Sequence, residues 1–98
     1  MAYQIIVKKR FTNKVQKVLS YLENEWSHKV AAEFLLKIDR RIELISKHPE
    51  IGRPSEKIKN VRGLLITRHN RMYYTVKKNK IIILNMYDTR MNPKKKPY

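Results

Sequence analysis

Cysteine is absent from this 98-residue chain. That excludes disulfides and thiolate metal sites, and it suits a reducing compartment such as the cytoplasm. Glycine occurs 2 times, and neither copy forms the Asn-Gly or Asp-Gly pair that fixes a tight hairpin turn. Long apolar runs are missing as well. Near the start only Ile5 to Val7 is continuous, too short for a signal-peptide core or a membrane span. The 3 scattered histidines and few acids offer no metal-ligand spacing, and no cofactor motif is present.

Acidic residues are the scarce charged class. The chain carries 23 Lys+Arg against 8 Asp+Glu, a formal net charge of +15. So strong a field on one modest domain implies a polyanionic partner: RNA, DNA or an acidic protein. It is also lopsided. Residues 1–56 hold 11 basic against 7 acidic side chains, whereas residues 57–98 hold 12 against 1, the single acid being Asp88. The cations lie on predicted strands and turns, not on a basic amphipathic helix, which argues against a membrane surface.

Residues 61–93 organise the chain. Leu64 to Thr67, Met72 to Val76 and Ile81 to Tyr87 are rich in β-branched and aromatic residues, as strands are. The breaks between them are too short for parallel crossovers, so the expected product is an antiparallel three-stranded meander. Alternation puts Met72, Tyr74 and Val76 on one face and Arg71, Tyr73 and Thr75 on the other. The first face can bury itself; the second presents an arginine beside an aromatic ring.

Upstream, Tyr3 to Lys8 reads as a short opening strand. Thr12 is the expected N-cap of a helix whose stripe is Val15, Leu19, Leu22 and Trp26, with Val18 beside it and Trp26 as a core anchor. Ser27 is the expected cap of a second helix, with Val30, Phe34, Ile38, Ile42 and Ile45 on one face and Ala31 and Leu35 widening it. Pro49 ends that helix near Lys47. Two amphipathic helices so close in sequence form an αα-hairpin. The loop His48 to Pro54, with its prolines and glycine, is expected to lack regular structure. Residues 92–98 read as a solvated basic tail. The expectation is a single α+β domain over 1–98: an N-terminal strand and a helical hairpin packed on one face of a mainly antiparallel four-stranded sheet.

The segment HPEIGRP after a helix ending in LISKHP, the VRGLLITRHNRMYYTV hairpin and the IIILNMYDTR strand resemble the RelE/ParE superfamily of toxins over nearly the whole chain. The resemblance implies the toxic half of a bacterial type II toxin–antitoxin pair, acting in the cytoplasm. It further implies neutralisation by a cognate acidic antitoxin in a hetero-oligomer. RelE-like members cut mRNA on the ribosome, and ParE-like members poison DNA gyrase. Arg71 matches the arginine that the nucleases hold against the scissile phosphate, and Arg90 a second functional position after the last strand. Where RelE has lysines this chain has Leu64 and Ile66. Where other nucleases end in a His-Tyr pair it has Thr89-Arg90, with Glu50 or Glu56 as the matches for their glutamate.

Cleavage through the 2′-hydroxyl needs a base, an acid and a holder for the non-bridging oxygens. Arg71 and Arg90 can hold phosphate in a two-point fork, but neither is a base at neutral pH. Tyr73, Tyr87, His69 and Tyr98 are the candidates for proton transfer, and His69 also reads as a plain turn residue. The candidate catalytic set is therefore Arg71, Arg90 and Tyr73, and the candidate target-binding set Arg62, Arg68, Arg71 and Arg90. The incomplete acid–base set leans towards gyrase without excluding mRNA cleavage. The competing readings are a plain basic nucleic-acid-binding module and a superfamily member without activity that only pairs with its antitoxin. A basic patch suits the module, yet Tyr73 and Tyr74 point to opposite faces and do not build a stacking platform.

Overall fold

The computed structural model describes residues 3–95 and 97–98. Strand β1 (Gln4–Val7) leads straight into helix α1 (Lys9–Glu25), followed by α2 (His28–Lys47). A single 3-10 turn, Pro49–Ile51, precedes β2 (Arg53–Pro54), and then come β3 (Val61–Thr67), β4 (Asn70–Lys77) and β5 (Lys80–Asp88). The sheet has 5 strands in the order β1-β5-β4-β3-β2. β1 runs parallel to β5, and every other pair is antiparallel. The expected four strands become five because Arg53 and Pro54 pair with Gly63 and Arg62. Two residues, one of them a proline, carry no readable strand pattern, and a proline is tolerated only at such an edge.

Helix α1 starts earlier than Thr12. The Lys8 amide still bonds the Ile83 carbonyl of the neighbouring strand at 2.9 Å, while the Lys8 carbonyl already accepts from the Phe11 and Thr12 amides. Strand and helix therefore meet at one residue, and Phe11 is carried into the core by the first turn. Trp26, expected as a core anchor, is instead 69% exposed. Its backbone has left the helical region (φ −125°, ψ −92°), so the stripe that Leu22 follows no longer sets its direction. Ser27 caps α2 as expected, its hydroxyl accepting from the Val30 amide at 3.1 Å. Helix α2 ends at Lys47, just before the His48-Pro49 pair.

Both helices cover one face of the sheet. Phe11, Val15, Phe34, Ile38 and Ile45 pack on Ile66, Met72, Tyr74, Ile81, Ile83 and Met86. Leu35, expected to widen the buried face, is exposed. In β5 the inward positions change from odd to even, since Ile81 and Ile83 point in and so does Met86. The cause is a register shift: Tyr73 pairs with Asn85 and Tyr74 with Ile83, leaving Leu84 as an extra residue, a β-bulge. The bulge turns Asn85 and Tyr87 onto the face that the helices leave open. No helix among the described residues is long and apolar enough to cross a membrane.

Candidate target-binding site

The loop between α2 and β3 is fixed from below by Tyr74. Its hydroxyl donates to the Pro49 carbonyl at 2.7 Å and accepts the Gly52 amide at 2.8 Å. A Cβ on Gly52 would stand 2.5 Å from that hydroxyl, so only glycine allows this approach. Arg62 finishes the fastening with bonds from its guanidinium to the carbonyls of Glu50 and Gly52, at 3.0 and 2.8 Å. Arg62 is thus a clamp for the loop, on the helix-facing side of β3, and does not join Arg71. The loop expected to lack regular structure holds a 3-10 turn and an edge strand, and it delivers Arg53 to the rim of the open face.

Three tyrosines gather on that face. Tyr73 meets Tyr87 edge-on with ring centres 6.1 Å apart. Tyr98 lies over Tyr73 in a stack, 4.9 Å between centres and 21° between planes. Asn85, buried beneath them, donates to the Tyr87 hydroxyl at 3.2 Å. Lys14 of α1 holds its ammonium 3.5 Å from the centre of the Tyr87 ring, a cation–π contact. Burial lowers the Lys14 pKa, helped by the nearby positive charges of Lys17 and Arg10. Burial raises that of Tyr87, with Tyr98 adding to the rise and Arg10 opposing it.

The residues expected to form a solvated tail are in part docked. Pro93–Lys95 form a 3-10 turn, the Pro93 carbonyl accepts from the Lys57 ammonium, and the Ser55 hydroxyl bonds the Tyr98 carbonyl at 2.6 Å. A cleft of about 250 Å³ opens between this segment and the sheet, lined among others by Arg53, Glu56, Lys57, Arg71, Tyr73 and Tyr98. It is smaller than the roughly 300–1,000 Å³ of a drug-sized pocket, which suits a single ring or phosphate. The guanidinium groups of Arg53 and Arg71 have no hydrogen-bond or ion-pair partner among the described residues. Gly63 makes room for this arrangement, since a Cβ there would come 2.9 Å from the Arg71 Cδ and 3.0 Å from the Tyr73 ring.

The other sequence candidates lie elsewhere. Arg68 and His69 form the β3–β4 turn, the Arg68 Nε donating to the His69 imidazole at 3.2 Å. Thr89 ties that turn to the end of β5 through the carbonyls of both residues. Arg90 is occupied by Asp88, with Nε to Oδ1 at 3.0 Å and Nη2 to Oδ2 at 2.7 Å. The side-chain and backbone N–H groups of Arg90 hold the Asp88 carboxyl well below the usual range. The structure therefore brings together Arg71 and Tyr73 but leaves Arg62, Arg68 and Arg90 outside their cleft. Sequence reasoning missed Arg53, Lys57 and Lys14 as members of the site. Arg53 sits in the Gly-Arg-Pro segment that carried the resemblance, the one signal that pointed to it.

A family model of the ParE toxin of the type II toxin–antitoxin system ParDE matches residues 5–93. No curated protein sequence matches the chain. Among solved structures, the chromosomal ParDE toxin–antitoxin system from P. aeruginosa is similar, with a TM-score of 0.76 at 18% identity over 89% of this chain and 96% of that one. The YoeB dimer from Staphylococcus aureus aligns with a TM-score of 0.63 at 17% identity, over 89% of this chain and 97% of that chain. A mutant of the E. coli toxin RelE in the free state gives 0.63 at 14% identity, over 92% and 86%. These structural likenesses establish the shared α+β fold. The family match spans nearly the whole chain, and on that ground the protein belongs to the ParE toxins, the toxin components of type II toxin–antitoxin systems.

Proposed function

We propose that this toxin arrests growth by engaging DNA gyrase in the cytoplasm through the open face of its sheet, and that its antitoxin is acidic and neutralises it by countering that positive surface. The observation that carries the reading is the composition of the cleft. Two unpartnered arginines, Arg53 and Arg71, flank an aromatic ring, which is equipment for gripping an anionic or planar surface. Among the described residues no histidine lines the cleft, and Arg90 is spent on Asp88. Binding is well provided for, whereas the proton-transfer candidates His69 and Tyr87 do not line the cleft.

One observation favours mRNA cleavage as a second reading. Glu56 lines the same cleft as Arg71 and Tyr73, so a carboxylate stands near a phosphate-binding group. The test uses the purified toxin in two assays. Gyrase-directed action blocks supercoiling by purified gyrase and leaves mRNA intact in a translating extract. Ribosome-dependent mRNA cuts with normal supercoiling would replace the gyrase reading with the nuclease one.

A further inference from the structure

Two residues are left over by the open-face cleft: Trp26, the chain's single tryptophan, and Arg68. Trp26 stands at the turn of the helical hairpin with 69% of its surface in water. Beside it, where the hairpin overhangs the β3–β4 turn, lies a hollow of about 540 Å³, more than twice the open-face cleft. Leu22, Val30 and Phe34 give it an apolar floor, and Glu33, Lys37 and Arg68 stand on its rim. Leu22 and Val30 are each four residues from Trp26, so the protruding ring and the hollow are neighbours. A lone exposed aromatic needs no explanation. One that stands next to an apolar hollow is a knob beside a hole. The charge of this end is also unlike the rest of the molecule. Residues 18–36 hold 3 acids, Glu23, Glu25 and Glu33, and 1 lysine, Lys29, while the remaining basic and acidic side chains stand at 22 against 5. Lys37 and Arg68 on the rim pair with no carboxylate among the described residues.

We propose that the hairpin tip is a self-association surface: two copies of this chain meet there about a two-fold axis, and Trp26 of each enters the hollow of the other. An isologous contact requires a patch that complements itself, with knob and hole close to the axis, and the spacing of Leu22, Trp26 and Val30 provides that. Charge selects the occupant. A net-acidic tip repels an acidic partner, whereas a second copy sets Glu23 and Glu25 against Lys37 and Arg68, and Lys29 against Glu33. It is also the end at which two molecules of formal charge +15 repel each other least. Two aromatic side chains, each burying about 150–250 Å², with their rims make a small interface near the lower bound of about 1,200 Å² for specific complexes. The dimer is therefore a weak one, with a dissociation constant in the micromolar range. The helices lie across the sheet from the open face, so Arg53 and Arg71 stay free in it, and the proposal is independent of which target is poisoned.

The experiment follows the isolated full-length toxin from nanomolar to high micromolar concentration by sedimentation velocity and by the emission of its one tryptophan. Wild type is expected to double in mass, and over the same range Trp26 should shift to the blue and lose access to acrylamide quenching. Trp26→Ala removes the knob and touches little within its own chain, so it should fold and raise the dissociation constant at least about thirtyfold, the scale of a tryptophan hot spot. Lys37→Glu should weaken association several-fold while keeping the tryptophan signal, and adding Glu25→Lys to it should restore part of the loss, because the exchanged charges meet again across the axis. A wild-type protein that stays monomeric with Trp26 open to the quencher would overturn the proposal, and shielding of Trp26 only when antitoxin is added would give the hollow to the antitoxin instead. A blue shift without a change in mass would likewise overturn it, since Trp26 would then be closing into its own chain. Dimers of undiminished affinity in Trp26→Ala would move the interface elsewhere.

Discussion

The Gly52 amide reaches the Tyr74 hydroxyl at 2.8 Å, joining the loop that carries Arg53 to the most deeply buried tyrosine of the sheet. Tyr74 is 0% exposed and returns its own proton to the Pro49 carbonyl. One phenol therefore satisfies a donor and an acceptor of a loop that has few apolar anchors. The consequence reaches the open face, because Arg53 follows Gly52 directly and pairs with Gly63 under Arg71 and Tyr73.

Replacing Tyr74 by Phe leaves the buried Gly52 amide without its partner, at a cost of about 1–3 kcal/mol. Gly52→Ala drives a methyl into the same hydroxyl and should be at least as damaging. Urea denaturation of the two variants checks both. A Tyr74→Phe protein as stable as wild type would mean that Arg62 alone secures the loop.

Tyr74 also sets an alkaline limit. Burial raises its pKa, and the Gly52 hydrogen bond and the Arg62 charge only partly oppose that. A raised pKa in the folded state contributes stability that is complete below the unfolded value of about 10 and is lost as the pH climbs through the folded value. The stability gap between wild type and Tyr74→Phe should accordingly narrow as pH rises above about 10. Denaturation midpoints of the pair, followed from neutral to alkaline pH, give the answer. A gap that stays constant or widens contradicts the assignment.

Two apolar residues on the helical hairpin should behave in opposite ways. Ile45 is 0% exposed at the contact of α2 with the sheet, so Ile45→Ala should cost about 2–5 kcal/mol. Trp26, despite its size, touches little, and Trp26→Ala should stay within about 0.5 kcal/mol of wild type. Thermal melts settle the contrast. A large loss at Trp26 would place it back in the core that its spacing suggested.

That contrast shows where the sequence could be read and where it could not. Periodicity found both helices, the four longer strands, the Ser27 cap and the end of α2, because each rests on local chemistry. It misplaced Trp26 because a stripe has no meaning one residue past the helix. It missed β2 because two residues have no period. The bulge at Leu84 breaks the alternation of β5, so the gathering of Tyr87 with Tyr73 was invisible, although Arg71 and Tyr73 were correctly put on one face. The pairing of Arg90 with Asp88 spans only two residues but rests on the turn that ends β5, which has no period, and the return of Tyr98 to Ser55 and Tyr73 depends on how distant parts of the chain meet.

The partner side of the toxin should be governed by charge. Residues 57–98 carry 12 of the basic side chains and 1 acid, and the open face gathers Arg53, Arg71 and Lys57. Association with an acidic antitoxin should therefore slow markedly as salt rises, with most of the change in the on-rate. Stopped-flow association across a salt series tests this. An on-rate indifferent to salt would point to apolar docking instead.

Sequence alone ranks Arg71 and Arg90 as equals, and the structure separates them. Arg71 lies in the cleft with its guanidinium unpartnered, its stem crossing Gly63. Removing it takes a free anion-binding group from the site and little from the core, so Arg71→Ala should cost about 1 kcal/mol or less in stability. It should also abolish or sharply weaken growth arrest on induction. Arg71→Lys should recover only part of the toxicity, since it keeps the charge and loses the planar fork. Arg90 is already neutralised by Asp88 in an exposed bidentate pair, and such pairs add little to folding. Arg90→Ala should therefore be the milder of the two, and Asp88→Asn, which releases Arg90, should not lower toxicity. Growth curves of strains expressing each variant, with solubility and melting temperature checked, give the order. Full toxicity in a folded Arg71→Ala protein would remove the cleft from the target-binding surface, and a loss at Arg90 equal to that at Arg71 would show that the target breaks the Asp88 pair on binding.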